Sequence, residues 1–334
     1  MVEKINIELM LVRKLVEDFL KTKVVDLVEL TGDASSRKYY RFEHSGKSYV
    51  SCLGAPFLNE EDSDFLKVQK LLKKNEIRVP KIYSVKPAEG FFIEEDLGDS
   101  TLVSYLGGNS EEDIVISSYE KVIDILIKLQ SIDVVGTIVE TRSFDFEKLS
   151  QESNLSIKYF LGSYLSGLEK DLTSKGFLSE INKLNQMLSE KSGKVFTHRD
   201  LHSRNIMVLD GSFFLIDFQD ARLGLPFYDL VSLLEDCYFP LSFEIRESLV
   251  LYYWENSNIS NTFTKEEFKR FYDLSAIQRL FKALGSFAFI NETRNDDRYL
   301  KYVGVGVHRL LDILKQYPEF ENFYKILKRS YHEN

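Results

Sequence analysis

The sequence has few cysteines and no long apolar run, and each absence excludes a class of protein. Only Cys52 and Cys237 are cysteines, and they lie far apart without the spacing of a zinc site or a redox pair. We interpret them as free buried thiols of a protein from a reducing compartment. No run approaches the roughly 18 apolar residues that span a bilayer, and the opening MVEKINIELM has no cationic segment followed by an apolar stretch. We therefore expect a cytoplasmic protein with no signal peptide and no membrane partner.

Excess positive charge is missing as well. The formal net charge is −9 at pH 7, whereas a surface that binds nucleic acid needs Lys and Arg to replace the counterions of the phosphates. We therefore expect no nucleic-acid partner. Hydrophobic residues make up 44% and charged residues 28% of the chain, which is typical of a globular protein with a large core. We also expect a monomer.

The pattern of apolar residues changes near residue 97. Before it, two segments have the spacing of amphipathic helices, 5–21 and 62–75. The other apolar runs in this part predict about five strands, 24–30, 37–43, 48–54, 79–85 and 90–96. The second and third of these runs flank the turn sequence HSGK and predict a hairpin.

The chain after residue 97 is mainly helical in pattern. Long helical patterns cover 112–131, 147–172 and 176–190. A strand-rich segment at 194–217 interrupts them, and the helical spacing returns from Asp229 onward. The sequence thus predicts an α+β protein with a small β-rich part and a larger, mainly helical part.

The strand-rich segment contains polar residues suited to phosphoryl transfer. The sequence HRDLHSRN (198–205) lies between the apolar runs VFT and IMVL, and Asp217 follows Asn205 by twelve residues. In phosphoryl transfer a carboxylate orients the attacking hydroxyl, and Mg²⁺ needs hard oxygen ligands. Asp200, Asn205 and Asp217 supply that set, because phosphates of ATP and water fill the remaining positions around the metal.

HRDLHSRN together with LIDF resembles the catalytic and metal-binding loops of the protein-kinase-like fold, which in protein kinases are HRDLxxxN and DFG. The chain departs from protein kinases at His202, where they carry Lys, and at Gln219, which replaces the DFG glycine. It also lacks an APE segment and a GxGxxG loop. These departures are typical of the aminoglycoside phosphotransferase and choline kinase side of the superfamily, whose members act on small molecules.

Further motifs narrow the resemblance. In order along the chain they are GDASSRKYYRF, APFLNEEDSDFL, VPKIY, EEDLGD, HRDLHSRNIMV, IDFQDARLGLPFYDLVSLLEDCY and QRLFKALGSFAF. Together they are similar to the bacterial family of anomeric N-acetylmuramate/N-acetylglucosamine kinases. The resemblance implies an ATP- and Mg²⁺-dependent phosphotransferase that phosphorylates the C1 hydroxyl of a cell-wall amino sugar during recycling. It also implies a bilobal protein-kinase-like fold, with a nucleotide-binding lobe over 1–97 and a catalytic and substrate-binding lobe over 98–334.

The resemblance assigns roles to individual residues. Asp200 would be the catalytic base or hydroxyl-orienting carboxylate, and Asn205 and Asp217 would bind Mg²⁺. The adenine of ATP would pair with the Glu95 carbonyl and the Leu97 N–H. The GDASS turn would lie over the triphosphate, where small residues let backbone N–H groups approach phosphate oxygens, at Gly32, Ala34, Ser35 and Ser36.

Other polar residues are candidates for the acceptor site, namely His202, Asp220, Asp236, Arg279 and Arg294. The arginines suit a carboxylate such as the lactyl group of N-acetylmuramate, the aspartates suit sugar hydroxyls, and His202 suits the loop backbone or a phosphate. A structural or solvated role is the alternative for each of them. We interpret His198 as a support of the catalytic loop and Asp229 as the N-cap of the helix that follows.

One expected residue is missing. The strand lysine that contacts the α- and β-phosphates in the kinase-like fold would fall near Ser51 or Cys52, and neither is a lysine. We expect one of three nearby cations to replace it, Lys38, Arg41 or Lys47. The nominal helix partner of that lysine would be Glu60 or Glu61.

Two other functions stay open on the sequence alone. One is a kinase of a different small acceptor, such as an aminoglycoside, an amino alcohol or a homoserine-like compound, whose cationic group would need an acidic, aromatic pocket. The other is a nucleotide-binding regulatory pseudokinase, which the missing strand lysine suggests. Asp200, Asn205 and Asp217 are all present, and this favours the enzyme over the pseudokinase.

Overall fold

The computed structural model of the chain describes residues 2–23, 26–30, 37–108 and 111–332. Its strands are β1 (Val28–Leu30), β2 (Lys38–His44), β3 (Lys47–Leu53), β4 (Ile82–Lys86), β5 (Phe91–Glu95), β6 (Val195–Thr197), β7 (Ile206–Leu209), β8 (Ser212–Leu215) and β9 (Arg222–Gly224). Its α-helices are α1 (Val2–Leu20), α2 (Asp64–Lys74), α3 (Leu102–Gly107), α4 (Glu112–Gln130), α5 (Phe146–Ser156), α6 (Glu169–Leu172), α7 (Lys175–Glu190), α8 (Phe227–Leu234), α9 (Phe243–Asn256), α10 (Lys265–Arg294), α11 (Val303–Leu314) and α12 (Glu321–His332). Among the described residues, none of these helices combines the length and the apolarity that a bilayer span requires.

These elements form two compact units. One unit consists of Met1–Ser100 and Met207–Gln219, and the other of Thr101–Ile206 and Asp220–Asn334. The predicted small β-rich part and larger helical part are confirmed. The later segment that carries β8 also belongs to the first unit, and no local sequence pattern indicated this membership. The assignment of nucleotide binding and acceptor binding to separate lobes stays a prediction.

A five-stranded antiparallel sheet, in the order β1-β2-β3-β5-β4, is the framework of the first unit. Its β2–β3 hairpin was predicted, and Ser45 and Gly46 in the turn both have positive φ, 51° and 73°, as a tight hairpin turn requires. Tyr40 and Phe42 of β2 bury their rings against Val12 of α1. Burial of each such side chain contributes about 1.5–3 kcal/mol. The apolar stripe of α1 faces this sheet, and its packing there stabilises the predicted helix.

The helix α2 contacts the same sheet through aromatic rings. It begins after the N-cap Ser63, whose hydroxyl accepts from the Leu66 N–H, and it ends at Asn75, close to the predicted limits. Phe65 on its buried face stacks on Phe92 of β5, with ring centroids 4.9 Å apart. Phe92 lies directly opposite Cys52 of β3, so this stack marks the sheet face to which Cys52 points.

The helix α10 is the longest element of the second unit, at 30 residues. A capping box of Thr264 and Glu267 begins it, and Asn295 in the left-handed conformation ends it. It packs on α5, α8 and α11, so most of its central positions are buried. Charged residues in its central part therefore lie inside the unit, and two of them are part of the site described below.

One predicted helix is wrong in extent. The pattern over 147–172 is split into α5, a π-helical stretch Ile157–Tyr164 and α6. The reason is a tight turn at Ser166, which has φ 48°, and Gly167, whose N–H bonds to the Leu161 carbonyl. A Cβ on Gly167 would lie 2.7 Å from that carbonyl oxygen, so the turn requires glycine.

Candidate active site

The HRDLHSRN loop (198–205) follows β6 in the second unit and is anchored by a carboxylate of α8. Asp229 accepts the backbone N–H of His198 at 2.6 Å and that of Arg199 at 3.0 Å. Pro226, not Asp229, is the N-cap of α8, so the N-cap prediction is wrong. Asp229 is buried in the first turn of the helix, and burial raises its pKa to about 7 against the effect of the two amide bonds.

The backbone at Arg199 is strained. Its φ is 85°, a conformation that residues other than glycine rarely adopt and that costs on the order of 1–3 kcal/mol. The Asp229 bonds hold this conformation, and the Arg199 side chain is held by Glu152 at 3.3 Å and Asp220 at 3.0 Å. Such strain concentrates at functional sites, and here it lies directly before Asp200.

Asp200 is paired with two cations of α10. Its Oδ1 accepts from Lys282 Nζ at 2.7 Å and from Arg279 Nη2 at 3.3 Å. Burial by itself would raise the pKa of Asp200, but Lys282, Arg279 and Arg199 hold that pKa well below its usual value. The carboxylate is therefore ionised at neutral pH, as a group that accepts a hydroxyl proton must be.

Asn205 closes the loop back onto Asp200. Its side-chain Nδ2 donates to the Asp200 carbonyl at 2.9 Å, and its backbone N–H donates to the His202 carbonyl at the same distance. The bond through Nδ2 fixes the orientation of the side-chain amide and identifies its other terminal atom as the oxygen. An amide oxygen is a ligand that Mg²⁺ accepts.

His202 lies inside the loop and is neutral. Its backbone N–H donates to the Asp200 carbonyl at 3.0 Å, and its ring meets the edge of Tyr238 with centroids 5.1 Å apart. Burial lowers the pKa of His202 to about 3, with Arg279 and Lys282 adding to the effect. An uncharged ring brings no positive charge to a phosphate, so the geometry favours the contact with the loop.

Asp236 lies behind the loop rather than on its surface. It accepts from the backbone N–H of Ser203 at 2.9 Å, from the Ser203 hydroxyl at 2.5 Å and from the Tyr238 N–H at 2.8 Å. Only 6% of the residue is exposed. The structure thus places this predicted sugar ligand in a supporting position.

The remaining acceptor candidates lie in different surroundings. Arg279 is buried and also bonds to the Ser232 hydroxyl at 2.6 Å, which leaves it next to Asp200 but anchored. Asp220 is half exposed and pairs with Arg199. Arg294 is exposed in the last turn of α10.

A cluster of aromatic rings packs against Arg204 of the loop and was not predicted. Arg204 lies over the rings of Tyr238 and Tyr299, 5.0 and 5.2 Å from their centroids. Tyr238 also meets Tyr302 edge-on at 4.8 Å. The guanidinium that these rings hold at the loop suits an acidic group such as a carboxylate.

Asp217 belongs to the first unit, where it follows β8. Its φ is 62° and its carboxylate accepts from Gln219 Nε2 at 2.8 Å. The next residue, Phe218, is fully buried and stacks on Phe65 with centroids 5.0 Å apart. The row of Phe218, Phe65 and Phe92 fixes the exposed Asp217 to α2 and β5.

The segment proposed for adenine is anchored by Arg41. Glu95 ends β5 and Leu97 follows it, buried. Asp96, between them, accepts hydrogen bonds from Arg41 Nε at 2.6 Å and from Nη2 at 3.0 Å. Asp99, just after them, accepts one from Nη2 at 2.9 Å. This network fixes the segment that carries the predicted adenine contacts.

Two of the predicted replacements for the strand lysine are paired with carboxylates, and the third is exposed. Arg41 is committed to the two aspartates, Lys38 pairs with Glu8 of α1, and Lys47 is exposed at the start of β3. Glu60 and Glu61 pair with Lys70 instead of a strand lysine. The turn residues Gly32, Ala34, Ser35 and Ser36 lie outside the described residues.

A different cation, Arg37, lies on the face to which Cys52 points. Its guanidinium is 5.2 Å from the centroid of Phe65, the ring that stacks on Phe92. It also acts on Glu94, whose pKa burial raises to about 8 while Arg37 opposes that rise. Sequence reasoning missed Arg37, although it stands one residue before Lys38.

Comparisons with known proteins agree with these loops. A model of the phosphotransferase enzyme family matches residues 26–263. An N-acetylmuramate/N-acetylglucosamine kinase of Neisseria meningitidis is 30% identical over 307 residues, covering 90% of each chain. A protein of the same name from Pseudomonas aeruginosa is 29% identical over 306 residues, covering 90% of this chain and 88% of its own.

Solved structures agree on the fold. A choline kinase LicA from Streptococcus pneumoniae has a TM-score of 0.62 at 15% identity and covers 91% of this chain and 98% of its own. An ADP-bound aminoglycoside phosphotransferase, APH(2'')-Ib, has a TM-score of 0.58 at 14% identity, covering 90% and 97%. The predicted protein-kinase-like fold is confirmed, and the chain belongs to the phosphotransferase enzyme family.

Proposed function

We propose that the protein is an ATP-dependent kinase that phosphorylates the anomeric hydroxyl of an amino sugar, N-acetylmuramate or N-acetylglucosamine. The observation that supports it most is Asp200, an ionised carboxylate on a strained loop with Asn205 bonded to its backbone, in a chain of the phosphotransferase family. The names of the relatives supply the acceptor.

Asp200 orients the acceptor hydroxyl and takes its proton. The hydroxyl oxygen forms a bond to the γ-phosphorus of ATP while the bond from that phosphorus to the bridging oxygen breaks, and ADP leaves with the electron pair. The reacting oxygen gains nucleophilicity only as its proton moves, so a carboxylate that stays ionised at neutral pH is suited to the role. Lys282 and Arg279 keep Asp200 ionised.

Magnesium fits the donor set. Asn205 offers an amide oxygen and Asp217 a carboxylate, and both are hard ligands. Among the described residues there is no cluster of three His, Cys, Asp or Glu that would hold a metal by itself, which suits an ion that keeps water and phosphate ligands. When bound, Mg²⁺ would neutralise charge that develops on the phosphates.

ATP would contact the first unit through backbone and one cation. The Glu95 carbonyl and Leu97 N–H would pair with adenine. We assign the place of the strand lysine to Arg37, because its guanidinium lies on the sheet face of Cys52. This assignment gives the phosphates a counter-charge from a cation other than Lys38, Arg41 or Lys47.

The charge around Asp200 favours a neutral or acidic acceptor. Lys282 and Arg279 both lie within hydrogen-bond distance of this carboxylate, so an aminoglycoside or choline cation would find Asp200 already paired. Arg204, which lies over the rings of Tyr238 and Tyr299, supplies a cation for the lactyl carboxylate of N-acetylmuramate.

An acceptor panel tests the proposal. ATP consumption is measured with N-acetylglucosamine, N-acetylmuramate, glucose, choline and an aminoglycoside, for the wild type and for Asp200→Asn. We expect turnover with the two N-acetyl sugars and its loss in the variant. Turnover with choline or the aminoglycoside alone would change the acceptor class. ATP binding without any turnover would favour a regulatory pseudokinase.

A further inference from the structure

Two cations converge on one oxygen of the Asp200 carboxylate. Lys282 and Arg279 share its Oδ1, at 2.7 and 3.3 Å. The nearby Glu152 is used by Arg199 at 3.3 Å and by Gln278 at 2.9 Å. Both cations therefore share a single carboxylate oxygen as a hydrogen-bond acceptor, and a charge in so poorly solvated a place is stabilised by each further anionic acceptor. An anionic oxygen that arrives beside Asp200 would give one of the two cations an acceptor of its own.

The two cations differ in freedom. Arg279 is anchored on its other side by the Ser232 hydroxyl at 2.6 Å and lies over the ring of Tyr228, 6.0 Å from its centroid. Lys282 is a compact charge on a flexible stem, with 13% of its side chain exposed. Lys282 can therefore turn toward a bound group while Arg279 keeps its bond to Asp200.

The chemistry places one particular anion at this point. The hydroxyl that Asp200 orients must lie within about 3 Å of it, and the γ-phosphorus must lie about 3–3.5 Å beyond the hydroxyl oxygen. The transferred phosphoryl group thus comes within reach of an ammonium that bonds to Asp200. Protein kinases carry Lys on the loop two residues after this Asp, whereas this chain has His202 there.

We propose that Lys282 binds the transferred phosphoryl group, moving from Asp200 to an oxygen of that group during transfer, and so replaces the lysine missing from the catalytic loop. The inference rests on the proposed function. It makes Lys282 a catalytic residue supplied by α10. The phosphate oxygens gain a charge-assisted hydrogen bond as the acceptor oxygen forms its bond to phosphorus, and Asp200, released from one cation, receives the hydroxyl proton.

The test separates the phosphoryl group from the sugar. Calorimetry measures binding of N-acetylglucosamine, N-acetylmuramate and N-acetylglucosamine 1-phosphate to the nucleotide-free protein and to Lys282→Met. We expect the affinity of the variant for the 1-phosphate to be at least about tenfold lower, because one charge-assisted hydrogen bond is lost. Its affinities for N-acetylglucosamine and N-acetylmuramate should be unchanged. Turnover with either sugar should fall on the order of 10²-fold in kcat with little change in KM.

Control variants keep the test decisive. Lys269→Met removes an exposed lysine of the same helix, with 70% of its side chain exposed, and should match the wild type. Lys282→Arg, which keeps the charge, should retain part of the 1-phosphate affinity. Methylammonium added to Lys282→Ala should restore part of the turnover. If Lys282→Met does not fold, the arginine variant and the rescued alanine variant still measure the effect of the charge.

Three results would overturn the inference. Unchanged affinity for the 1-phosphate in a folded Lys282→Met is one, and an equal loss for all three ligands is the second, since it indicates a structural role. The third is a loss confined to N-acetylmuramate, which would assign Lys282 to the lactyl carboxylate. Absence of wild-type turnover with both sugars would instead refute the proposed function, so the two failures are distinguishable.

Discussion

The carboxylate of Asp229 accepts the backbone N–H groups of His198 and Arg199 at 2.6 and 3.0 Å, and this pair of bonds holds the strained start of the catalytic loop. We expect Asp229→Ala to lower the free energy of unfolding by about 2–3 kcal/mol, because it leaves two buried N–H groups without an acceptor. It should also lower kcat by displacing Asp200. Urea unfolding checks the stability, with Asp113→Ala on the exposed first turn of α4 as control, expected within about 0.5 kcal/mol of the wild type. Equal stabilities of the two variants would contradict this role.

Arg37 provides a second test, on the nucleotide side. We expect Arg37→Met to raise the KM for ATP about tenfold, since a phosphate contact of roughly 1.4 kcal/mol would be lost. The sugar KM should not change. The control is Lys47→Met, which removes an exposed cation from the start of the neighbouring strand. If Lys47→Met raises the KM for ATP more than Arg37→Met does, the assignment of Arg37 is incorrect and Lys47 is favoured as the replacement for the strand lysine.

Arg41 should affect the adenine segment rather than the phosphates. Its guanidinium joins Asp96 and Asp99 through four hydrogen bonds, and lysine cannot reproduce this geometry. We expect Arg41→Lys to weaken binding of adenosine and of ATP by the same factor, several-fold, because the segment that carries Glu95 and Leu97 loses its anchor. Fluorescence or calorimetric titration with both ligands measures this. A loss for ATP with none for adenosine would instead place Arg41 at the phosphates.

The neutral His202 predicts how stability depends on pH. Its pKa in the folded protein is about 3, below the usual 6.5, so the unfolded chain binds an extra proton between these values. Stability should therefore decrease as pH falls below about 6.5, with a slope approaching 1.4 kcal/mol per pH unit from this residue. Asp229, with its pKa raised to about 7, acts in the opposite direction, because its folded form binds the extra proton. The difference between wild type and His202→Asn in urea unfolding at pH 4.5 to 7.5 isolates the histidine, and equal slopes would contradict its burial as a neutral ring.

The catalytic loop was predictable because its information is local. HRDLHSRN combines residue types that phosphoryl transfer needs, at a spacing that one short loop provides, and the structure bonds Asn205 back to Asp200 within it. The hairpin of β2 and β3 was predictable for a similar reason, since its turn and its two apolar runs are adjacent in the chain.

The surroundings of the loop were not predictable, because they depend on contacts between distant segments. Lys282 lies 82 residues from Asp200, and a lysine in a helical pattern is most often exposed. Asp229 is a residue type that often caps helices, and it precedes an apolar helical run. Pro226 is nevertheless the N-cap of α8, and the Asp229 carboxylate bonds to the loop. Arg37 precedes β2, so the alternation of side chains along that strand does not predict which face Arg37 lies on. Its contact with the ring of Phe65 was therefore not predictable.

The most direct test of the central proposal is the phosphorus NMR spectrum of the product formed from ATP and N-acetylglucosamine. Transfer to the anomeric hydroxyl predicts a phosphorus signal split into a doublet by the single proton at C1, and no such product from Asp200→Asn. A triplet from the two protons of a primary alcohol phosphate would show that the acceptor hydroxyl is a different one. Formation of the doublet at an unchanged rate by Asp200→Asn would contradict the role of Asp200.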